Sequence, residues 1–138
     1  MVDPRVPAGY SVATFDAIDS TNEEARRRAA AGERGPLWIW AKSQTAGRGR
    51  RGREWESPAG NLMTTLLTAP GVSAPEAARL SFVAALAVHD LASSYAKHSA
   101  VRVKWPNDVL IDGKKVAGIL LESSGDAGVD VLPWVAVG

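Results

Sequence analysis

Between residues 10 and 18 apolar and polar side chains alternate loosely, the period of a half-buried strand, and Asp19-Ser20-Thr21-Asn22 then supplies N-cap residue types ahead of EEARRRAAA. A strand passing into a helix is expected there. Ser20 and Glu23 stand at capping-box spacing, and Gly32 is placed to end the helix near Ala31. Residues 37–42 (LWIWAK) are short and apolar and read as a buried strand, and residues 61–68 (NLMTTLLT) as another. After a break at 70–75, Pro75 opens a helix expected over 76–97, with Leu80, Val83, Ala84, Ala87 and Leu91 at helical spacing as its core stripe. Residues 101–104, 109–111 and 116–121 are further β-like runs, with Asp112-Gly113 as a hairpin signal, and 131–138 reads as a last strand. Runs of strands interrupted by two helices predict an α+β fold, with a mixed, largely antiparallel sheet and helices packed on one face.

Composition narrows the function classes. A chain of 138 residues, 46% of them hydrophobic and 22% charged, suits one globular domain that buries about two-thirds of its unfolded surface. Sixteen Lys and Arg against fifteen Asp and Glu leave a net charge of +1, so any basic feature is local. Absence of cysteine excludes a disulfide framework, a Cys-ligated metal and a thiol nucleophile. No apolar run suits a signal peptide or a membrane span, so a cytoplasmic protein without a membrane partner is expected. The few residues ahead of the first strand are too short for an N-terminal DNA-binding helical module, and no such domain is expected.

Three segments carry candidate chemistry. Residues 43–60 hold Gly47, Gly49, Gly52 and Gly60 beside Arg48, Arg50, Arg51 and Arg53, too little apolar surface for a regular element, so a loop is expected. Gly47, Gly49 and Gly52 formally satisfy G-x-G-x-x-G, but no helix follows to receive a pyrophosphate as a dinucleotide fold requires. Four guanidiniums on glycines instead suit a clamp for a polyanion such as a nucleotide phosphate; a solvated basic loop or a nucleic-acid patch is the competing reading. Lys104-Trp105-Pro106-Asn107-Asp108 delivers a Lys, an Asn and an Asp at a strand end, where an ordinary turn is the plainer alternative. In Lys115-Val116-Ala117-Gly118-Ile119-Leu120 a lysine leads into an apolar strand, and a strand-interior glycine marks the close approach of a ligand.

In this order, DSTN at 19–22, QTAGRGRRGR at 44–53 with W-x-SP at 55–58, KWPND at 104–108 and KVAGIL at 115–120 resemble the catalytic domain of biotin protein ligases. The resemblance covers nearly the whole chain. It implies the class II synthetase-like fold of biotin and lipoate ligases over residues 1–138, incomplete because that family continues past the equivalent of Gly138 into a Gly-Ile-Asn strand segment and a small β-barrel domain. On that view residues 131–138 form an apolar strand at an open sheet edge.

The resemblance also implies roles. Ser20, Thr21, Asn22, Gln44, Gly47, Arg48, Gly49, Arg50, Lys115, Gly118 and Leu120 would bind biotin, and Arg50, Arg53, Trp55, Lys104, Asn107 and Asp108 the nucleotide. Lys115, Arg48 and Arg50 would act on the reacting groups. The implied reaction joins biotin to AMP from ATP, with Mg2+ accompanying the triphosphate and no dedicated protein metal site. The biotinyl group then passes to a lysine of a biotin carboxyl carrier domain of a biotin-dependent carboxylase, with no nucleic-acid partner and with a homodimer as one admissible assembly. A lipoate-type ligase of the same superfamily, a biotin-binding remnant without turnover, and a nucleic-acid-binding module are the alternatives.

Overall fold

The computed structural model describes residues 4–124 and 128–138. In chain order its elements are β1 (Ser11–Phe15), α1 (Thr21–Ala30), β2 (Leu37–Ala41), β3 (Met63–Thr68), α2 (Ala74–Ala77), α3 (Leu80–Tyr95), β4 (Val101–Lys104), β5 (Asp108–Ile111), β6 (Lys114–Gly118), β7 (Leu121–Ser123) and β8 (Val135–Val137). Five strands make one sheet in the order β1-β2-β3-β8-β7, and β4-β5-β6 make a second. Among the described strands only β1 and β2 pair in parallel, and α1 is the crossover that such a pair requires. All other pairs are antiparallel, so the mixed, largely antiparallel α+β class holds.

The strand β8 differs from expectation in a way that matters. It does not lie at an open edge but between β3 and β7, with Leu67 opposite Ala136 and Leu121 opposite Val137. Its side chains alternate across the sheet and feed two cores. Ala136 joins Ala25 and Ala29 of α1 with Leu37, Ile39 and Leu67, whereas Val135 packs with Ala77 and Leu132, against which Leu80, Leu121 and Val137 lie. Helices therefore cover both faces of this sheet rather than one.

The long helix expected over 76–97 is also divided. Ser73 and Glu76 form a capping box that starts α2 at Ala74, one residue before Pro75, and a tight turn at Ala78 and Arg79 separates it from α3. Within α3, Ala85 is fully buried against Val109 and Ile119, with Ala84 and Val88 beside it, while Val83, Ala87 and Leu91 of the expected stripe are exposed. The segment LSFVAALAVHDL is apolar almost all round, so periodicity could not choose its inner face.

At the hairpin, Asp112 (φ 48°) and Gly113 (φ 80°) adopt the left-handed conformations of a two-residue β-turn. The expected strand over 116–121 is broken at Ile119 and Leu120, because β6 pairs with β5 and β7 with β8, so the chain changes sheets there. Reciprocal bonds between Leu120 and Gly138, Leu120 N to Gly138 O at 2.7 Å and Gly138 N to Leu120 O at 3.0 Å, fasten that crossover to the end of β8.

Candidate active site

The site begins where α1 starts. Ser20 is the N-cap and its Oγ accepts from Glu23 N at 3.4 Å, but its own N–H donates to Asp19 Oδ1 at 2.7 Å. Only half of the capping box forms, which leaves the Glu23 carboxylate for arginines. Asp19 also accepts from both terminal nitrogens of Arg27, at 2.8 and 2.9 Å, a fork that pulls its carboxyl down to about 2. This depressed value makes Asp19 stabilising above its ordinary range near 3.8, a contribution lost as pH falls toward 2. The melting temperature is expected to drop further between pH 4 and pH 2 in the unaltered chain than in Asp19→Asn, and parallel pH profiles for the two would contradict the assignment.

Thr21 and Asn22 point into the molecule, and Ser20, Thr21, Asn22 and Thr65 are the buried polar residues among those described. Thr65 sits at the inward-facing middle of β3, with no exposed surface, flanked along the strand by buried Met63 and Leu67. Its hydroxyl lies 2.6 Å from Asn22 Oδ1 and 2.8 Å from Thr21 Oγ1. Asn22 Nδ2 donates to Leu120 O at 3.2 Å and to Glu122 Oε2 at 2.9 Å. Thr21 donates from its N–H (2.8 Å) and hydroxyl (3.1 Å) to Gln44 Oε1, and Gln44 Nε2 donates to Ser57 Oγ at 3.0 Å. Every amide and hydroxyl here has a partner, as burial demands. This network joins α1, β3, the crossover after β6 and both arms of the arginine loop.

That loop is a hairpin in all but name. Trp55 N–H donates to Gly47 O at 2.9 Å, Gly49 N–H to Arg53 O at 2.7 Å, and Arg48 bridges to Glu54. Gly47 permits the closure, because a Cβ there would stand 2.7 Å from Trp55 O and 2.9 Å from Ser57 Oγ. The tip turns through a short 3-10 segment, Arg50–Gly52, in which Arg51 is left-handed (φ 60°), and Arg50, Arg51 and Arg53 are exposed. Between the arms lies an open hollow of about 360 Å3 lined in part by Gln44, Gly47, Trp55 and Ser57.

Arg48 is different from its neighbours. Its Nη1 donates to Glu23 Oε2 at 2.9 Å, and its Nη2 to both oxygens of Glu122 at 2.9 and 3.0 Å. Glu23, and then Glu122, hold its guanidinium above its ordinary range, while Arg26 and then Arg48 hold the Glu23 carboxyl below its own. Its charge is thus already matched within the protein.

The second half of the site comes from the β4-β5-β6 meander. A β-bulge displaces the pairing between β5 and β6, so that Val109 opposes Ala117 and Leu110 opposes Lys115. Lys115 Nζ lies 3.0 Å from Asp108 Oδ1 and 5.0 Å from the centre of the Trp55 ring, an ion pair and a cation–π contact at once. Gly118 leaves room for both groups, since a Cβ there would meet Lys115 Nζ and Trp55 Cη2 at 3.3 Å. Asn107 Nδ2 donates to Ile119 O at 2.8 Å, and its Oδ1 accepts from Arg50 Nη1 at 3.3 Å. Lys104 is exposed and opposes Asp108 in register.

The structure therefore gathers Thr21, Asn22, Gln44, Gly47, Arg48 and the Leu120 carbonyl into one polar cluster, and Arg50, Trp55, Asn107, Asp108, Lys115 and Gly118 into an adjoining one. The Ser20 side chain is spent on capping, the Gly49 N–H and Arg53 carbonyl close the loop, and the Arg53 and Lys104 side chains stand in solvent. Sequence reasoning missed Thr65, Glu122, the bond from Gln44 to Ser57 and that from Arg48 to Glu23. A lone polar residue at an inward position of NLMTTLLT, and an acid directly after the Ile119-Leu120-Leu121 run, were the available signals.

Comparison with known proteins identifies the family. Residues 14–132 match the model of the Biotin/lipoate A/B protein ligase family. The biotin--[acetyl-CoA-carboxylase] ligase of Paracoccus denitrificans is 55% identical over 122 residues, covering 87% of this chain and 49% of that protein. The bifunctional ligase/repressor BirA of Escherichia coli K12 is 40% identical over 121 residues, 87% of this chain and 37% of the relative. Among solved structures, biotin protein ligase from Leishmania major in complex with biotinyl-5-AMP superposes with a TM-score of 0.72 at 30% identity over 96% of this chain and 57% of that one. The Aquifex aeolicus enzyme in complex with biotin and ATP gives 0.70 at 32% identity over 92% and 50%. This chain spans about half the length, or less, of the curated relatives described here.

Proposed function

This chain belongs to the biotin/lipoate A/B protein ligase family, and we propose that its site activates the carboxylate of biotin with ATP and passes the biotinyl group to a lysine of a carrier domain. The observation that best supports this reading is the meeting of Lys115, from β6, with Trp55, from the arginine loop, over Gly118. One cation and one aromatic face, from segments distant in sequence, adjoin a buried polar cluster. A small polar acid with a nucleotide beside it is what such a pair of subsites suits.

In the first step a biotin carboxylate oxygen attacks the α-phosphorus of ATP, a carbon-oxygen-phosphorus anhydride forms, and the bond to pyrophosphate breaks. Two anions must approach, so positive groups that face the developing charge set the rate. Lys115 and Arg50 carry this role, with Lys104 opposite Asp108 in register, and Arg48 contributes from the adjoining polar cluster. Thr21 and Asn22, with Ser20 capping the helix that presents these two, and Gln44, Gly47, Gly49, Gly118 and Leu120 form the biotin subsite. Trp55, Asn107, Asp108 and Arg53 form the nucleotide subsite. Mg2+ enters with the triphosphate as part of the substrate; among the described residues no cluster of three or more His, Cys, Asp or Glu side chains offers it a protein cage. In the second step the ε-amine of the carrier lysine attacks the acyl carbon, AMP leaves, and an amide remains. Closure of the arginine loop over the adenylate keeps water from the anhydride. We place this chemistry in the cytoplasm, on the biotin carboxyl carrier domain of a biotin-dependent carboxylase.

Calorimetric titration of the chain with biotin and separately with lipoate tests the substrate assignment. Binding of biotin with no heat from lipoate is the expected outcome. Preference for lipoate would move the chain to the other branch of its family, and binding of neither would contradict the site.

A further inference from the structure

Glu122 takes part in none of the steps above, yet the two sides of the polar cluster meet on its carboxylate. It stands on β7, at the edge of the five-stranded sheet, and its side chain retains 29% of its exposure. Both of its oxygens accept from Arg48 Nη2, at 2.9 and 3.0 Å, and Oε2 also accepts from Asn22 Nδ2 at 2.9 Å. The partners lie 74 and 100 residues away in sequence, one on the arginine loop and one on the first turn of α1. Arg48 has a second carboxylate in Glu23, but Glu23 is shared with Arg26, which approaches it at 2.6 Å.

We infer that Glu122 is a positioning residue: by gripping Arg48 and Asn22 together it holds the arginine loop against the start of α1. The inference rests on the biotin reading for what is positioned, and on geometry alone for the tether. The physical argument is one of alternatives. Residues 47–53 are all glycine or arginine and bury no large apolar side chain, so hydrophobic packing cannot hold this stretch. Charge-assisted hydrogen bonds are the strongest attachment left, and a half-buried guanidinium between two carboxylates supplies them. The same carboxylate fixes the amide of Asn22, whose Oδ1 is taken by Thr65 and whose Nδ2 is divided between Glu122 and Leu120 O. Loss of Glu122 releases the loop and the biotin-facing amide in one event.

Trypsin reads the tether without any ligand, because Arg50, Arg51 and Arg53 are exposed at the loop tip and cleavage of a native protein reports how often the loop detaches. In Glu122→Gln the loop is expected to be cut about tenfold faster than in the unaltered chain at an unchanged melting temperature, and the biotin dissociation constant to rise about tenfold. Arg48→Gln, which breaks the same tether from the loop side and the Glu23 bond with it, is expected to be cut at least as fast, and the double variant no faster than Arg48→Gln alone. If Glu122→Gln does not fold, Arg48→Gln carries the test alone. Cleavage unchanged in the single variants, or additive in the double variant, overturns the tether. Equal biotin affinity in Glu122→Gln and the unaltered chain overturns the positioning role and leaves the biotin reading intact. Failure of the unaltered chain to bind biotin overturns the biotin reading and the role of Glu122 toward biotin, with the trypsin rates still deciding the tether.

Discussion

Replacing Lys115 by alanine is expected to reduce biotinyl-adenylate formation by about two to three orders of magnitude, the usual consequence of removing one preorganised donor from a developing oxyanion. The surroundings of Lys115 suit such a role. The bulge in the β5–β6 pairing directs it toward Asp108 Oδ1 at 3.0 Å and over the Trp55 ring at 5.0 Å, and Gly118 leaves the space around its ammonium open. Being pinned by a carboxylate and an aromatic face, the charge is in place before substrate arrives, with little reorganisation left for the reaction itself. Stability is expected to change by only about 0.5–1 kcal/mol, because the lysine side chain is 42% exposed and its charge is screened by solvent. Single-turnover formation of the adenylate, measured beside a thermal melt, separates the two effects. A variant that melts normally and still forms adenylate at the unaltered rate would remove Lys115 from the chemistry.

The second large effect is expected at Thr65. Substitution by valine keeps the volume and the β-branched shape but removes the hydroxyl that lies 2.6 Å from Asn22 Oδ1 and 2.8 Å from Thr21 Oγ1. Asn22 Oδ1 then faces a methyl group in a fully buried position. Leaving a buried acceptor unsatisfied costs about 1–3 kcal/mol, which for a chain of this length lowers the melting temperature by roughly 3–10 °C. Thr65→Ser retains the hydroxyl and is expected to recover most of that loss. Biotin affinity should follow the same order, since Thr65 sets the orientation of the two side chains at the start of α1. Equal melting temperatures for the valine and serine variants would show that the hydroxyl carries no such weight.

How far the sequence disclosed this molecule depended on how local each signal was. The Ser20 cap, the left-handed pair Asp112-Gly113 and the short strands β2 and β3 were legible because a few adjacent residues determine them. The interior place of β8 was not, because pairing with β3 and β7 is decided by those partner strands and not by the segment itself, and VLPWVAV reads the same at an edge or in a centre. Nor was the inner face of α3, whose apolar residues surround the helix and whose buried side is chosen by the small Ala85 that fits against Val109 and Ile119. The same distinction runs through the site. Gly47, Gly118, Lys115 and Trp55 stood out within recognisable strings, and the structure gives each a geometric reason. Thr65 and Glu122 gain their meaning only from Asn22 and Arg48, partners that no spacing along the chain could indicate. Arg48, one of four arginines that looked alike in sequence, is set apart by two carboxylates contributed from α1 and β7.

The claim that these residues form an adenylating site is put to the test by incubating the chain with biotin and Mg-ATP and following the products by mass spectrometry. Biotinyl-5'-AMP appearing together with pyrophosphate is the predicted result. A folded chain that binds neither biotin nor ATP and yields no adenylate would contradict the claim.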